Sequence, residues 1–270
     1  MRELLKRSLT GIIYVFLLLA AVYLSTSAFD FLFLIFGITC IYEFKKLIRL
    51  QGYYIFIAFL ALWWVFIYLL GELSQQEVLR NILLAATLLV NILLCLNLFK
   101  TKVPRYSNTQ KFLITIFYIG GGSIFLTMIP YKEDFVKSLI IGVFVLIWVN
   151  DSFAYLVGKA IGKNKLFPSV SPKKTIEGFL GGFIFALIAA YLLSLSGNEL
   201  TSIQWLILAA VLVITGTIGD LVESKFKRLA GVKDSGAILP GHGGLLDRLD
   251  SLIFAAPFAF LTLQIYNYVS

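Results

Sequence analysis

The sequence has few charged residues: Asp, Glu, Lys and Arg make up 14% of its 270 residues, against about 25% in soluble domains. It also has one histidine and only two cysteines, Cys40 and Cys95, whose context indicates neither a disulfide nor a metal site. Hydrophobic residues account for 59% of the chain, and the mean hydropathy is +0.90. This balance excludes an ordinary soluble enzyme, a disordered chain, a collagen-like fibre and a disulfide-stapled secreted module.

Long apolar runs predict an all-α, polytopic membrane protein. A membrane helix needs about 20 mainly apolar residues, and the alternating strands of a β-barrel would not give such unbroken runs. We predict about nine transmembrane helices, at 9–24, 28–48, 53–70, 79–99, 112–130, 135–158, 175–195, 203–222 and 249–268.

The distribution of Lys and Arg predicts the orientation of these spans. With the N-terminus in the cytoplasm, all but three of the 23 basic residues fall in cytoplasmic segments; the exceptions are Arg80, Lys132 and Lys137. Nine spans then place the C-terminus on the opposite side. The net charge of +8 follows from this bias and favours contact with anionic membrane lipids, whereas no basic tract indicates a nucleic-acid partner.

Polar residues divide the chain into two regions. Residues 1–145 are predicted to form an N-terminal hydrophobic transmembrane region, in which Asp30 and Glu43 are interpreted as interfacial or structural. Residues 146–270 are predicted to form a transmembrane catalytic region with cytoplasmic loops. No internal repeat is found, so the inverted-repeat pattern of many secondary transporters is missing.

Three polar clusters occur in the second region, at 150–152, 171–178 and 220–250. An ionisable group inside a span costs about 2.5–3.5 kcal/mol at its centre and usually faces a cavity or a partner. Asp151 and Asp220 are such groups, and a salt bridge to a nearby lysine is the structural alternative for each. Several carboxylates and cations on one membrane face favour a binding site over structure alone.

The last cluster has the composition of a site for a nucleotide and a divalent cation. Asp247 and Asp250 are three residues apart at the start of the ninth span, so they share one helical face. Asp220 ends the eighth span and is expected to meet them across the gap. Because carboxylates hold Mg²⁺ against substrate phosphates, we predict Asp220, Asp247 and Asp250 as metal ligands.

Basic residues and glycines near these acids predict contacts with phosphates. Gly243 and Gly244 permit a close approach of the backbone and offer N–H donors. His242, which lies beside them, is a candidate to position a phosphate or transfer a proton. Asp151 and Glu177 are candidates to orient lysines or to bind a second cation. The predicted phosphate clamps are Lys173, Lys174, Lys227, Arg228, Lys233 and Arg248.

The same residues form a long motif of fixed spacing. Ser-Lys-Phe-Lys-Arg at 224–228, Lys-Asp at 233–234 and Leu-Pro-Gly-His-Gly-Gly-Leu-Leu-Asp-Arg-Leu-Asp at 239–250 together resemble the signature of phosphatidate cytidylyltransferases, the CDP-diacylglycerol synthases. The segments Asn-Asp-Ser-Phe-Ala-Tyr at 150–155 and Ser-Pro-Lys-Lys-Thr-Ile-Glu-Gly at 171–178 are similar to that family as well. The resemblance therefore covers about 148–250.

The resemblance implies a reaction in phospholipid biosynthesis: CTP and phosphatidate give CDP-diacylglycerol and pyrophosphate, with Mg²⁺ required. It also implies an integral protein of the inner (cytoplasmic) membrane in a bacterium, with its active site facing the cytoplasm. CTP, phosphatidate and membrane lipids are the expected partners, and a homodimer through the apolar first region is a further expectation.

Two other functions stay open at this point. A CTP-dependent polyprenol or dolichol kinase would share the membrane setting, the nucleotide and Mg²⁺, but it would release CDP instead of pyrophosphate. A transporter would use Asp151 and Asp220 as an ion path, although the missing repeat and the one-sided polar clusters count against it. The spaced aspartate, glycine and arginine pattern of CMP-alcohol phosphotransferases is not found.

Overall fold

The computed structural model of the chain describes residues 2–69, 76–100, 105–131, 134–197, 199–239, 241 and 243–269, with the backbone alone at 2–9 and 268–269. Its helices are α1 (Arg2–Leu24), α2 (Thr26–Leu47), α3 (Tyr54–Trp64), α4 (Gln76–Leu98), α5 (Asn108–Ile114), α6 (Gly122–Met128), α7 (Lys137–Ile161), α8 (Ile176–Ser196), α9 (Ser202–Ala230) and α10 (Leu246–Val269). A π-helical segment at Val65–Leu69 extends α3, and another at Thr115–Gly121 joins α5 to α6 in one continuous helix.

The all-α prediction is confirmed, and each predicted span coincides with a helical segment of the described chain. Within the described residues, seven segments are long and apolar enough to cross a membrane: Thr26–Leu47, Gln76–Leu98, Asn108–Met128, Lys137–Ile161, Ile176–Ser196, Ser202–Ala230 and Leu246–Asn267. The stretches Thr10–Leu24 and Tyr54–Leu69 are apolar but shorter. The number of nine spans and their orientation therefore stay predictions.

The C-terminal end of α9 lies beyond the predicted span, which stopped at residue 222. The helix continues to Ala230 and ends at Gly231, whose φ of +74° suits a glycine. Gly231 N donates to Arg228 O at 3.1 Å, and Val232 N donates to Lys227 O at 3.0 Å. The extension places two additional helical turns of polar residues, including Lys227, next to the start of α10.

A short β-hairpin, which the sequence did not predict, precedes α8. Its strands, β1 (Lys165–Phe167) and β2 (Ser171–Thr175), pair antiparallel, with Phe167 opposite Ser171. The Glu177 carboxylate anchors the entry to the hairpin, because it accepts hydrogen bonds from the backbone N–H groups of Lys163 and Asn164 at 3.0 and 3.1 Å. This anchor fixes the direction in which β2 carries its lysines.

A close approach of α7 and α8 sets the position of this hairpin. A Cβ at Gly178 would lie 2.7 Å from the carbonyl oxygen of Ala154 and 3.1 Å from the Cα of Gly158. Only glycine leaves room for the two backbones at this spacing. The C-terminal half of α7 and the start of α8 are therefore held together as one wall.

One hydrophobic core is shared by the two regions that the sequence suggests. The Phe44 ring of α2 packs against the Phe226 ring of α9 at 4.9 Å and against the Tyr118 ring at 5.4 Å. Tyr118 in turn contacts Phe254 of α10 at 5.9 Å between centroids. Such edge-to-face contacts are typical of buried aromatic clusters, and they join residues 1–145 to the helices that carry the polar clusters.

Candidate active site

A cavity of about 640 Å³ lies between the C-terminal half of α7, the segment 217–220 of α9 and the first turns of α10. Its wall runs along α7 from Trp148 to Lys159, which is about 16 Å at 1.5 Å per residue. Apolar side chains such as Val15 of α1 and Phe179 of α8 form part of the lining. The cavity thus combines a polar end with an apolar flank.

Seven of the predicted site residues meet in this cavity. Those that line it are Asp151, Lys173, Lys174, Asp220, Asp247, Arg248 and Asp250. They come from α7, β2, α9 and α10, so residues that are up to 99 positions apart in the sequence share one surface. The expectation that the three polar clusters converge agrees with this geometry.

Asp220 and Lys174 form an ion pair between α9 and β2. Their side chains are 30% and 31% exposed, so the pair lies in the cavity wall and retains contact with water. Burial disfavours the charged form of Lys174, but the adjacent Asp220 carboxylate outweighs it and holds the pKa of Lys174 above its ordinary value. Asp220 thus forms the salt bridge that was its structural alternative and also borders the cavity, and its role as a metal ligand stays a prediction.

Asp250 borders the same cavity as Asp220, near the point where α9 and α10 cross at a glycine. A Cβ at Gly219 would lie 2.4 Å from the Cβ of Phe254 and 3.0 Å from the carbonyl oxygen of Asp250. Asp250 is 7% exposed, and its Oδ1 accepts a hydrogen bond from Ser251 N at 2.6 Å. The close crossing brings two carboxylates from different helices to the same part of the cavity.

Asp151 approaches the cavity from α7. Asn150 Nδ2 donates to Asp151 Oδ1 at 3.1 Å. The side chain of Asp151 is exposed, because it borders the open cavity. Asp151 is therefore placed to face a bound cation or a lysine, as the sequence suggested.

Asp247 is held by four donors around the start of α10. Its oxygens accept from Lys227 Nζ at 2.7 Å, Gly244 N at 2.7 Å, Ser235 N at 2.9 Å and Ser235 Oγ at 3.0 Å. A carboxylate has about four lone-pair positions. Three of these contacts are to Oδ2, and Oδ1 receives Lys227 and a longer contact of 3.2 Å from Ser235 N, so little acceptor capacity is left. Asp247 borders the cavity, but it would bind a metal only by giving up one of these partners.

Lys227 has a different role from the predicted phosphate clamp. It is 9% exposed, does not line the cavity, and pairs with both Glu223 and Asp247. Its ammonium group contacts two acids in the protein interior, because α9 continues past residue 222 and turns this face toward α10.

Several other predicted residues lie away from the cavity lining. Glu177 binds the backbone that leads into the hairpin, and Arg228 donates to the carbonyl oxygens of Val170 and Val232. Gly243 and Gly244 shape the loop around Asp247 instead of the cavity wall. Lys233 is exposed outside the lining. His242 lies outside the described residues.

The acidic side chains of the cavity fit a magnesium ion as a partial ligand set. Among the described residues, no three His, Cys, Asp or Glu side chains are already close enough to hold a metal by themselves. Mg²⁺, however, is usually held by one or two carboxylates together with waters and substrate phosphates. Asp220 and Asp250 supply oxygen donors of this kind beside the open cavity.

Sequence reasoning missed two residues that organise this site. Glu43 binds the loop that leads into α10, and Ser235, within that loop, contacts both Glu43 and Asp247. A carboxylate in an apolar span was a usable signal for Glu43, since burial of a charge requires a partner. Nothing in the sequence identified that partner, which lies about 200 residues further along the chain.

Comparisons with known proteins identify the family of the chain. The model of the Cytidylyltransferase family matches residues 5–266. A phosphatidate cytidylyltransferase of Bacillus subtilis (strain 168) is 34% identical over 279 aligned residues, which cover 99% of this chain and 100% of the relative. Phosphatidate cytidylyltransferases of Staphylococcus aureus (strain COL) and Staphylococcus haemolyticus (strain JCSC1435) are 46% and 44% identical over 149 and 147 residues, or 54% of this chain and 55% of each relative. The chain therefore belongs to the cytidylyltransferase family.

Proposed function

We propose that this integral membrane protein is a phosphatidate cytidylyltransferase, which transfers the cytidylyl group of CTP to phosphatidate and releases pyrophosphate. The observation that carries the proposal is the cavity between α7, α9 and α10 of an apolar helical bundle, where carboxylates and lysines share a wall with apolar side chains. A lipid phosphate and a nucleoside triphosphate both require this combination of cationic and apolar surface.

The cavity has the depth that a lipid headgroup needs. Its extent of about 16 Å along α7 is roughly half of the 30 Å hydrocarbon core of a bilayer. Phosphatidate would place its phosphate among the polar side chains and its glycerol and first acyl carbons along the apolar flank. CTP would enter from the polar end, where Lys173 and Arg248 are exposed.

The reaction requires charge neutralisation more than proton transfer. A phosphate oxygen of phosphatidate attacks the α-phosphorus of CTP, the bond from that phosphorus to the bridging oxygen breaks, and pyrophosphate leaves with the bond electrons. The nucleophile is already an anion, so no base has to activate it. Lys173, Lys174 and Arg248 lower the barrier by placing positive charge beside the reacting and departing phosphates.

A bound Mg²⁺ would supply further positive charge for the phosphates of CTP and the leaving pyrophosphate. Asp220 and Asp250 are the residues that would hold it, because both border the cavity from opposite helices. Asp247 keeps its predicted role as a third ligand only if it releases one of its four donors. Asp151, on the facing wall, is the candidate for a second cation.

We also infer that the cavity faces the cytoplasm of a bacterial inner membrane, with the N-terminus on the same side. The basic loops that precede and follow the cavity support this orientation. Labelling of a Lys233→Cys variant with an impermeant maleimide in sealed vesicles of each orientation tests it. The expected homodimer stays a prediction that light scattering of the detergent-solubilised protein addresses.

Two labelled forms of CTP test the reaction itself. The purified protein is incubated with Mg²⁺, with either phosphatidate or a polyprenol or dolichol, and with CTP that carries ³²P at either the α or the γ position. A cytidylyltransferase puts only the α label into lipid and releases the γ label as pyrophosphate. Transfer of the γ label to a polyprenol or dolichol would instead identify a lipid kinase, and the absence of both products would contradict the proposal.

A further inference from the structure

Glu43 belongs to the apolar first region, yet its carboxylate binds the loop that leads into α10. It lies one turn before the end of α2 and is 1% exposed. Oε1 accepts a hydrogen bond from Leu245 N at 3.1 Å, and Oε2 accepts one from Leu246 N at 2.8 Å. The same Oε2 lies 3.2 Å from Ser235 Oγ. The buried carboxylate is thus bound by Ser235, Leu245 and Leu246.

These contacts secure the N-terminus of the helix that carries the acidic residues of the cavity. The first N–H groups of a helix have no partner within the helix, and a carboxylate at this end is favoured by both hydrogen bonding and the helix dipole. Asp247 follows directly after Leu246, in the same turn. The direction of Asp247 therefore depends on the acceptor that Glu43 provides.

Ser235 links Glu43 to Asp247. Its hydroxyl oxygen lies 3.2 Å from Glu43 Oε2 and 3.0 Å from Asp247 Oδ2, and its N–H donates to Asp247 Oδ2 at 2.9 Å. Gly236 and Gly244 leave the space that this arrangement needs: a Cβ at these positions would lie 2.3 and 2.6 Å from the Glu43 carboxylate oxygens. The loop is therefore built around the Glu43 side chain.

We propose that Glu43 is a positioning residue for the cytidylyl transfer. It does not line the cavity, and it acts by fixing the loop 235–246 and the first turn of α10, from which Asp247, Arg248 and Asp250 reach the substrates. The proposal rests on the proposed function. It gives the first region a part in forming the active site, in addition to anchoring the protein in the membrane.

A Glu43→Gln substitution tests the proposal with little change in shape. The amide nitrogen of glutamine cannot accept a hydrogen bond, so one of the Leu245 and Leu246 N–H groups loses its acceptor. Asp30→Asn is the matched control, because Asp30 is also a buried carboxylate of α2, is 5% exposed, accepts from Tyr131 Oη at 2.8 Å and does not line the cavity.

Three quantities are measured for each variant: kcat and KM for CTP, the unfolding temperature in detergent, and the deuterium exchange of segment 235–246. We expect Glu43→Gln to lower kcat about tenfold or more and to accelerate exchange in the segment. Its unfolding temperature should match that of Asp30→Asn. The control should keep the kcat, the KM and the exchange rates of the unchanged protein.

Two outcomes would overturn the proposal. In the first, Glu43→Gln keeps its kcat and KM. In the second, activity falls only in proportion to the loss of folded protein, which is the result of a merely structural role. Should Glu43→Gln fail to fold, Ser235→Ala decides, because it leaves both carboxylates in place and removes the hydroxyl between them. An unchanged kcat in Ser235→Ala then contradicts the proposal.

Failure of the proposed function can be distinguished from failure of the Glu43 proposal. If the proposed function were wrong, the unchanged protein and Asp30→Asn would also form no CDP-diacylglycerol.

Discussion

Lys227 joins α9 to α10 by an ion pair with Asp247, whose Oδ1 lies 2.7 Å from the lysine Nζ. The lysine also pairs with Glu223, which is completely buried one turn earlier on α9. One ammonium group therefore pairs with two acids in the protein interior. Removal of one partner from such a buried group leaves uncompensated charge, which costs about 3–5 kcal/mol.

Lys227→Ala is accordingly expected to destabilise the protein as well as inactivate it. As a phosphate clamp, Lys227 would be replaceable without loss of folding, whereas its buried position predicts a lower unfolding temperature in detergent. Lys233→Ala, at an exposed lysine, is the control and should unfold like the unchanged protein. A Lys227→Ala variant that unfolds normally but cannot use CTP would restore the clamp interpretation.

The sequence predicted the helices and the convergence of acids for simple physical reasons. A run of about 20 apolar residues forms a helix in a membrane whatever its neighbours are, and Asp220 and Asp250 stand near the ends of two predicted spans that the topology brings to one side. The sequence did not distinguish the role of Lys174 from that of Lys227. Lys174 lies in the cavity wall, whereas Lys227 is buried. This difference depends on where α9 ends and α10 begins.

Long-range contacts and short strands were beyond the sequence pattern. The partner of Glu43 is a loop about 200 residues away, and no periodicity links the two. The strand Ser171–Thr175 contains a proline and two lysines and has no alternating apolar pattern, so its segment was predicted as a loop. Its pairing with β1 is imposed by the Glu177 anchor and by the close packing of α7 with α8.

Substitution of the cavity acids should separate metal binding from loop order. We expect Asp250→Asn and Asp220→Asn to raise the Mg²⁺ concentration for half-maximal activity about tenfold or more, because each removes a carboxylate that borders the cavity. Asp247→Asn should in addition lower the unfolding temperature, since the amide nitrogen cannot accept from Ser235, Gly244 or Lys227. Titration of activity with Mg²⁺, together with thermal unfolding, measures both effects. Normal turnover and normal Mg²⁺ dependence in Asp220→Asn would contradict the ligand assignment.

The ion pair of Lys174 with Asp220 predicts a specific dependence of stability on pH. The pKa of Lys174 is raised in the folded state, despite burial, by the Asp220 carboxylate. The stabilisation is therefore fully present below the ordinary lysine pKa of about 10.4 and is lost as pH rises through the higher folded-state pKa. The difference in unfolding temperature between the unchanged protein and Lys174→Met should be constant from about pH 7 to 10 and shrink above it. A difference that shrinks between about pH 7 and 9 would show that the pair does not raise the pKa.

The crossing of α9 and α10 at Gly219 predicts a steric test of the site. A methyl group at this position would lie 2.4 Å from Phe254 Cβ and 3.0 Å from the backbone oxygen of Asp250, so the helices must separate. We expect Gly219→Ala to cost about 1–3 kcal/mol of folding free energy, as overpacking does, and to lower activity further by moving Asp220 away from Asp250.

Gly216→Ala, one turn earlier on α9, is the control, because its Cβ would first meet the flexible end of Ile147 at 3.1 Å. Thermal unfolding and the rate of CDP-diacylglycerol formation are measured for both. Equal activity of the two variants would contradict this expectation. It would mean that the spacing of α9 and α10 at Gly219 does not control the distance between the Asp220 and Asp250 carboxylates.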